Sequence, residues 1–153
     1  MILSTICYIE KDNKYLMLHR TKKENDINKN KWIGVGGKFE EGESPEECII
    51  REVKEETGLT LKEYQLRGIV TYVSTTWETE YMHIFTANDF EGELIECNEG
   101  DLQWIEKNKI GDLNLWEGDK IFLKKLLKEN SSFFSIKFEY DGEKLIKYTI
   151  KEY

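Results

Sequence analysis

Three glutamates, Glu52, Glu55 and Glu56, lie within a turn and a half of one another in the stretch GKFEEGESPEECIIREVKEETGL, residues 37–59. Side by side on a helix such carboxylates repel. Hard divalent cations compensate them, because Mg²⁺ takes oxygen ligands and leaves its remaining positions to water and substrate phosphates. Gly37 permits close backbone approach, so its carbonyl can be aimed at the same cations. Arg51 is next to Glu52 and four residues before Glu55, a spacing that lets a guanidinium orient a carboxylate. Glu43 stands just before the helix start, where an acid supports the cluster, accepts a proton, or simply suits the positive helix end. The expected cofactor is Mg²⁺, with Mn²⁺ as an alternative. Cations of this kind activate water and neutralise phosphoryl oxygens, so hydrolysis of a diphosphate linkage is the expected reaction class. Glu56 and Glu99 are the candidates for the base that takes the proton from water. His19 and His83 lie in or at the end of apolar strands, where a hydrogen-bonded structural role is expected. Cys48 shares the glutamate stripe, one turn before Glu52, but thiolate has no advantage with Mg²⁺ and a small core residue is expected.

The element that positions these groups is a helix over 45–57. Ser44 is its N-cap, Pro45 its first residue, Glu47 closes a capping box, and Gly58 ends it. At 100° per residue Ile49, Ile50, Val53 and Thr57 form a packing stripe, and Glu52, Glu55 and Glu56 fall together on the neighbouring one. Around it, residues 2–10 and 14–19 read as strands about the polar turn Lys11-Asp12-Asn13, and 20–31 as a polar surface loop. Strands are expected over 63–73, 81–87 and 102–105, and a second helix over 119–129 with Phe122, Leu123, Leu126 and Leu127 on one face. A C-terminal hairpin is expected to turn through a three-residue loop, Tyr140-Asp141-Gly142, which sets Ile136 against Ile146 and Phe134 against Tyr148. Together these elements make an α+β or α/β sandwich with a mixed sheet, in one domain spanning residues 1–153.

Composition narrows the function. A formal charge of −8 opposes tracking of nucleic-acid polymer phosphates, which needs an extended basic face. A small anionic substrate remains open, since carboxylate-bound cations can attract it. The three cysteines, Cys7, Cys48 and Cys97, have no C-x-x-C spacing and suggest neither a disulfide framework nor a zinc site. The first residues lack a basic n-region and alternate toward a charged end, which reads as a strand, not a leader. No run reaches the roughly 18 apolar residues of a membrane span. A soluble, cytoplasmic protein acting on a small molecule, with no membrane or nucleic-acid partner, is the expectation. Oligomeric state is not written in the sequence.

The spacing G-x5-E-x7-R-E-U-x-E-E-x-G-U, with U aliphatic, is met by Gly37, Glu43, Arg51, Glu52, Val53, Glu55, Glu56, Gly58 and Leu59. This chain thereby resembles the Nudix hydrolases. At residue frequencies of roughly 7%, the seven literal matches arise by chance about once in 10^8 positions. The likeness extends over nearly the whole chain, through ICYIEKDNKYLMLHR, KWIGVGGKFEEGES, EGELIECNEGDLQWI, LWEGDKIFLKKLL and FFSIKFEYDGEKL, and is greatest to the MutT branch, among them the bacterial MutX proteins and the animal 8-oxo-dGTP diphosphatases. The resemblance implies an α/β/α Nudix sandwich. It also implies metal binding by the Gly37 carbonyl, Glu52, Glu55, Glu56 and Glu99, phosphate contacts from Arg20 and Lys38, and a base pocket with Trp116 on the purine and Asp119 at its edge. Members release pyrophosphate and a nucleoside monophosphate. Two departures fall in the base pocket: Ile33 stands where the animal enzymes have a base-reading Asn, and Gly118 where they have the first of two adjacent aspartates. A Nudix hydrolase of dinucleoside polyphosphates, nucleotide sugars or ADP-ribose is the alternative. A non-catalytic nucleotide-sensing module is a third possibility, which the complete signature disfavours.

Overall fold

The computed structural model describes residues 1–128 and 130–153. In chain order it comprises β1 (Ile2–Lys11), β2 (Lys14–Arg20), β3 (Trp32–Ile33), β4 (Val35–Lys38), α1 (Pro45–Thr57), β5 (Thr60–Ser74), β6 (Glu80–Glu91), β7 (Gly100–Glu106), a 3₁₀ stretch Lys107–Asp112, α2 (Glu117–Leu126), β8 (Phe134–Asp141) and β9 (Lys144–Glu152). The main sheet runs β4-β1-β6-β5-β8-β9, with β1/β6 and β5/β8 parallel and the other pairs antiparallel. A smaller sheet, β3-β2-β7, is joined to it where Glu10 and Lys11 of β1 pair with Tyr15 and Lys14 of β2. That hairpin closes through Asp12 and Asn13, at φ 52 and 61, the left-handed pair of a two-residue turn whose twist matches the strands.

β1 is buried from Ser4 to Ile9, as a strand covered on both faces must be. Alternation sends Cys7 and Ile9 into one core with Leu16, Val35, Phe85 and the α1 residues Ile49 and Val53. Ile6 and Tyr8 enter the other core, with Met17, Val70, Phe134, Phe138 and the α2 residues Phe122, Leu123 and Leu126. The mixed sheet with a helix packed on either side is the expected α+β sandwich.

Several boundaries differ from expectation. The third and fourth expected strands are longer, since β5 and β6 pair from Thr60↔Glu91 to Tyr72↔Glu80 through register shifts. Pairing with a neighbour carries strand conformation into polar residues that have no strand pattern of their own. α2 begins at Glu117 instead of Asp119 and ends at Leu126, with Leu127, 40% exposed, as its C-cap. The last expected residue of that helix, at 129, lies outside the described residues. The final hairpin is also different. Asp141 pairs with Lys144, so the loop is Gly142-Glu143, with Gly142 at φ 60, the usual glycine-first arrangement of a two-residue turn. Ile136 faces Ile150 and Phe134 faces Glu152, and a register shift beside Tyr140 leaves Ile146 59% exposed. Matching apolar residues across the strands misplaced the register because β9 is an outer strand with little to bury.

Candidate active site

α1 is built as its sequence requires. Ser44 Oγ accepts from the Glu47 N–H at 3.1 Å, Glu47 Oε1 accepts from the Ser44 N–H at 3.0 Å, and Gly58 terminates the helix at φ 81. Its apolar stripe buries Ile49, Val53 and Thr57, which fixes the rotation of the helix and therefore the direction of its glutamates. Arg51 ties them together. Its Nε and Nη2 hold both Glu43 oxygens, at 2.7 and 2.9 Å, while Nη1 donates to Glu52 Oε1 at 2.8 Å and Glu55 Oε2 at 3.2 Å. Nη2 also donates to the Lys38 carbonyl at 3.0 Å, linking the helix to the end of β4. Those bonds pull the Glu43 carboxyl down to about 2. Glu43 and Arg51 thus form a clamp behind the glutamates.

The glutamates divide. Glu52 and Glu56 line a cleft of about 840 Å³ together with Gly37, Lys38, Arg20, Glu99 and Ile33. Glu55 does not line it; its side chain is 58% exposed and turned to Arg51. Glu99 is presented by the segment before β7, gripped by Arg20 Nη1 at 2.9 Å and Lys23 Nζ at 3.0 Å. Arg20 also donates to Asp26 at 2.7 Å. The expected phosphate cation is therefore already engaged by two carboxylates, and Lys23, which the sequence did not single out, joins it in the cleft wall.

The electrostatics suit a cation. Burial, then the hydrogen bond and charge of Glu99, and then the charge of Glu52, push the Glu56 carboxyl up. Burial raises Glu99 too, but its bonds to Glu56 and Lys23 and the charge of Arg20 outweigh this and hold it low. Burial also raises Glu52 against the opposing pull of Arg51. Glu56 Oε2 is buried with no donor among the described residues. An ionised Glu56 leaves Oε2 without a donor, which a proton shared with Glu99 or a cation would supply. The donor set is all oxygen, which fits Mg²⁺ or Mn²⁺. Among the described residues no three acidic or His/Cys side chains already stand as a closed metal cage; Glu52, Glu56 and Glu99 would have to draw together around the ion. A Cβ at Gly37 would collide with the Glu52 carboxyl, so a glycine is required for this approach. The Gly37 carbonyl accepts from Thr5 Oγ1 at 3.4 Å and from Cys48 Sγ at 3.7 Å. Cys48 is fully buried, with its thiol pushed up by burial, and has the structural role expected of it. His83 Nδ1 is 3.1 Å from the Ser4 carbonyl, and His19 stacks on Trp32 at 4.4 Å; neither lines the cleft.

Beside the cleft, and sharing Ile33 with it, lies a mainly apolar cavity of about 120 Å³ lined by Trp116 and Asp119. Trp116 is the N-cap residue of α2 by position and makes no side-chain cap. Its Nε1 donates to Asn28 Oδ1 at 2.8 Å, and Lys31 Nζ lies 5.0 Å from its ring centroid. Asp119 lies inside α2 and does not cap it. It is 4% exposed and accepts from the Tyr72 hydroxyl at 2.7 Å. Burial raises its carboxyl from 3.8 to about 7, against the Tyr72 bond, with the charge of Glu80 adding to the rise. The sequence missed Tyr72, Asn28 and Glu80 in this wall, because each sits in an unremarkable strand or loop and only folding brings it to the cavity. Gly118 has a packing cause: its N–H donates to the Tyr140 hydroxyl at 2.7 Å, and a Cβ there would meet that oxygen at 2.7 Å and Phe138 at 2.9 Å.

Comparison with known proteins agrees with this arrangement. The NUDIX domain family model matches residues 2–126. An uncharacterized Nudix hydrolase of Bacillus subtilis, YvcI, is 33% identical over 81% of this chain and 78% of its own. The oxidized purine nucleoside triphosphate hydrolase of Danio rerio is 34% identical over 76% of each chain. The crystal structure of a MutT mutator protein from Bacillus halodurans superimposes with a TM-score of 0.87 at 29% identity, covering 98% of this chain and 97% of that one. With the glutamate helix, its arginine clamp and the fold all in agreement, this chain belongs to the Nudix hydrolase family, as a MutT-like member.

Proposed function

We propose that the chain hydrolyses nucleoside triphosphates with the aid of Mg²⁺ or Mn²⁺, releasing pyrophosphate and a nucleoside monophosphate, and that oxidised purine nucleotides such as 8-oxo-dGTP are its substrates in sanitation of the nucleotide pool. The observation that carries this reading is the continuity of two sites: an acidic cleft containing Glu52, Glu56 and Glu99 opens beside a mainly apolar cavity that holds Trp116 and a buried carboxylate. A nucleotide has the same two ends. The relatives named as oxidized purine nucleoside triphosphate hydrolases support the substrate class.

In this scheme Glu52, Glu56, Glu99 and the Gly37 carbonyl would hold the cations, and Glu55 would join them once released from Arg51. Bound there, such ions lower the pKa of water and offset phosphoryl charge. The chain's own groups do the rest. Arg51 fixes the Glu52 rotamer through its bonds to Glu52 and Glu43. Glu56, or Glu99 beside it, takes the proton from the attacking water. Lys38 contacts the phosphates, together with Arg20 where Glu99 leaves its guanidinium available. Trp116 packs against the base and Asp119 accepts from its edge. The medium is the cytoplasm.

The test is a panel of normal and oxidised nucleotides assayed for pyrophosphate with Mg²⁺ or Mn²⁺ at slightly alkaline pH, with dinucleoside polyphosphates, nucleotide sugars and ADP-ribose as competitors. No hydrolysis of any nucleoside triphosphate would refute the proposal. Glu56→Gln should lower kcat by about 10²–10⁴-fold while leaving the circular dichroism spectrum unchanged.

A further inference from the structure

The cleft and the cavity meet at a seam, and Glu80 lines both. It is the first residue of β6, paired with Ile2 of β1, and half-buried. The hydroxyl of Ser4, itself 3% exposed, donates to Glu80 Oε2 at 2.5 Å. This bond holds the carboxylate in one orientation and leaves Oε1 for another donor. Two other polar side chains on the described seam are already engaged: Asn28 accepts from Trp116, and Glu78, 65% exposed, pairs with the amino terminus at 2.7 Å.

We infer that Glu80 is a specificity-determining residue that accepts a hydrogen bond from a sugar hydroxyl of the substrate. The inference rests on the nucleotide reading above. The phosphates belong with Glu52, Glu56 and Glu99, which line the cleft alone, and the base with Tyr72, Trp116 and Asp119, which line the cavity alone. The sugar joins those two ends and must cross the seam. Its hydroxyls are donors, and a carboxylate fixed by Ser4 is a matched acceptor for one of them. An analogue lacking that hydroxyl leaves Oε1 desolvated and unpaired, and a site built around a hydrogen bond discriminates against such a loss.

The test compares the 2′-deoxynucleoside triphosphate of the above panel that wild type hydrolyses fastest with its 2′,3′-dideoxy counterpart, with pyrophosphate release as the readout. Wild type should favour the deoxy form by about 10- to 100-fold in kcat/KM. Glu80→Ala should bring that ratio to near one, and Glu80→Gln, which keeps the size and an acceptor oxygen, should lie between. Asp119→Asn, altered at the base end, should keep the wild-type ratio. A merely structural Glu80 would lower both rates together and leave the ratio untouched, which overturns the inference, as does a wild-type ratio near one. Absence of hydrolysis of every nucleoside triphosphate of the panel by wild type overturns the nucleotide reading and this inference with it, whereas hydrolysis with an unchanged ratio in Glu80→Ala overturns the inference alone.

Discussion

Asp119→Asn should make the free protein more stable at pH 8, by an amount that follows from the burial of this residue. The carboxyl is 4% exposed, and burial raises it from 3.8 to about 7, with Glu80 adding to the rise. The folded state therefore holds this proton more tightly than the unfolded chain does. Stability from this group is complete below pH 3.8 and is lost progressively as pH rises to about 7. At about 1.36 kcal/mol per pKa unit the loss at pH 8 reaches roughly 4 kcal/mol, a ceiling that relaxation of the site will reduce. Asparagine carries no such cost. Its Oδ1 can still accept from the Tyr72 hydroxyl, now 2.7 Å from Asp119. Urea denaturation of both proteins at steps from pH 4 to 8, without nucleotide, isolates the effect because every other carboxylate is common to the two. The midpoints should nearly coincide at pH 4 and separate by about 1–2 M at pH 8, for an m-value of about 2–3 kcal/mol/M. At the same time kcat/KM for the preferred nucleotide should fall, because the base edge loses its charged acceptor. A difference in midpoint that is constant across pH, or a variant less stable at pH 8, would refute the assignment of a strained buried carboxylate.

Other perturbations follow from the same geometry. Gly37→Ala drives a methyl into the Glu52 carboxyl, so Mg²⁺ affinity, read by isothermal titration, should drop at least tenfold while the fold survives. Arg51→Lys cannot reproduce the two-pronged hold on Glu43 together with the bonds to Glu52 and Glu55; kcat should fall about 10- to 100-fold with little change in KM, since rotamer control and not substrate binding is lost. Gly118→Asp would restore the paired acids of the animal enzymes in sequence only. Its Cβ meets the Tyr140 hydroxyl and Phe138, so thermal denaturation should show a loss of about 1–3 kcal/mol. Addition of Mg²⁺ should raise the melting temperature of wild type and raise that of Glu56→Gln much less, because the ion supplies the partner that buried Glu56 Oε2 lacks.

Local signals were legible where one element supplies both the instruction and the result. The bounds of α1, its capping box and its glycine stop depend on contacts within about four residues, and the structure has them as the sequence predicts. The final hairpin was misjudged because its register depends on a bulge and on what an outer strand has to bury, neither of which a residue pattern records. Asp119 is a buried residue inside α2, held by a tyrosine 47 positions away, a partner that no local pattern names.

By itself, then, the sequence determined the local frame of the site: a helix whose apolar stripe sets its rotation, with Arg51 at the spacing needed to hold its glutamates. Only the tertiary structure decided how those glutamates are shared out, with Glu52 and Glu56 facing the cleft beside Glu99 and Glu55 turned away to Arg51. It alone also brought Tyr72, Glu80 and Trp116 around Asp119. The reason is physical. Charge spacing along one helix is a short-range property, while burial, desolvation and the meeting of two cavities arise from strands and loops that approach one another only when the sheet closes.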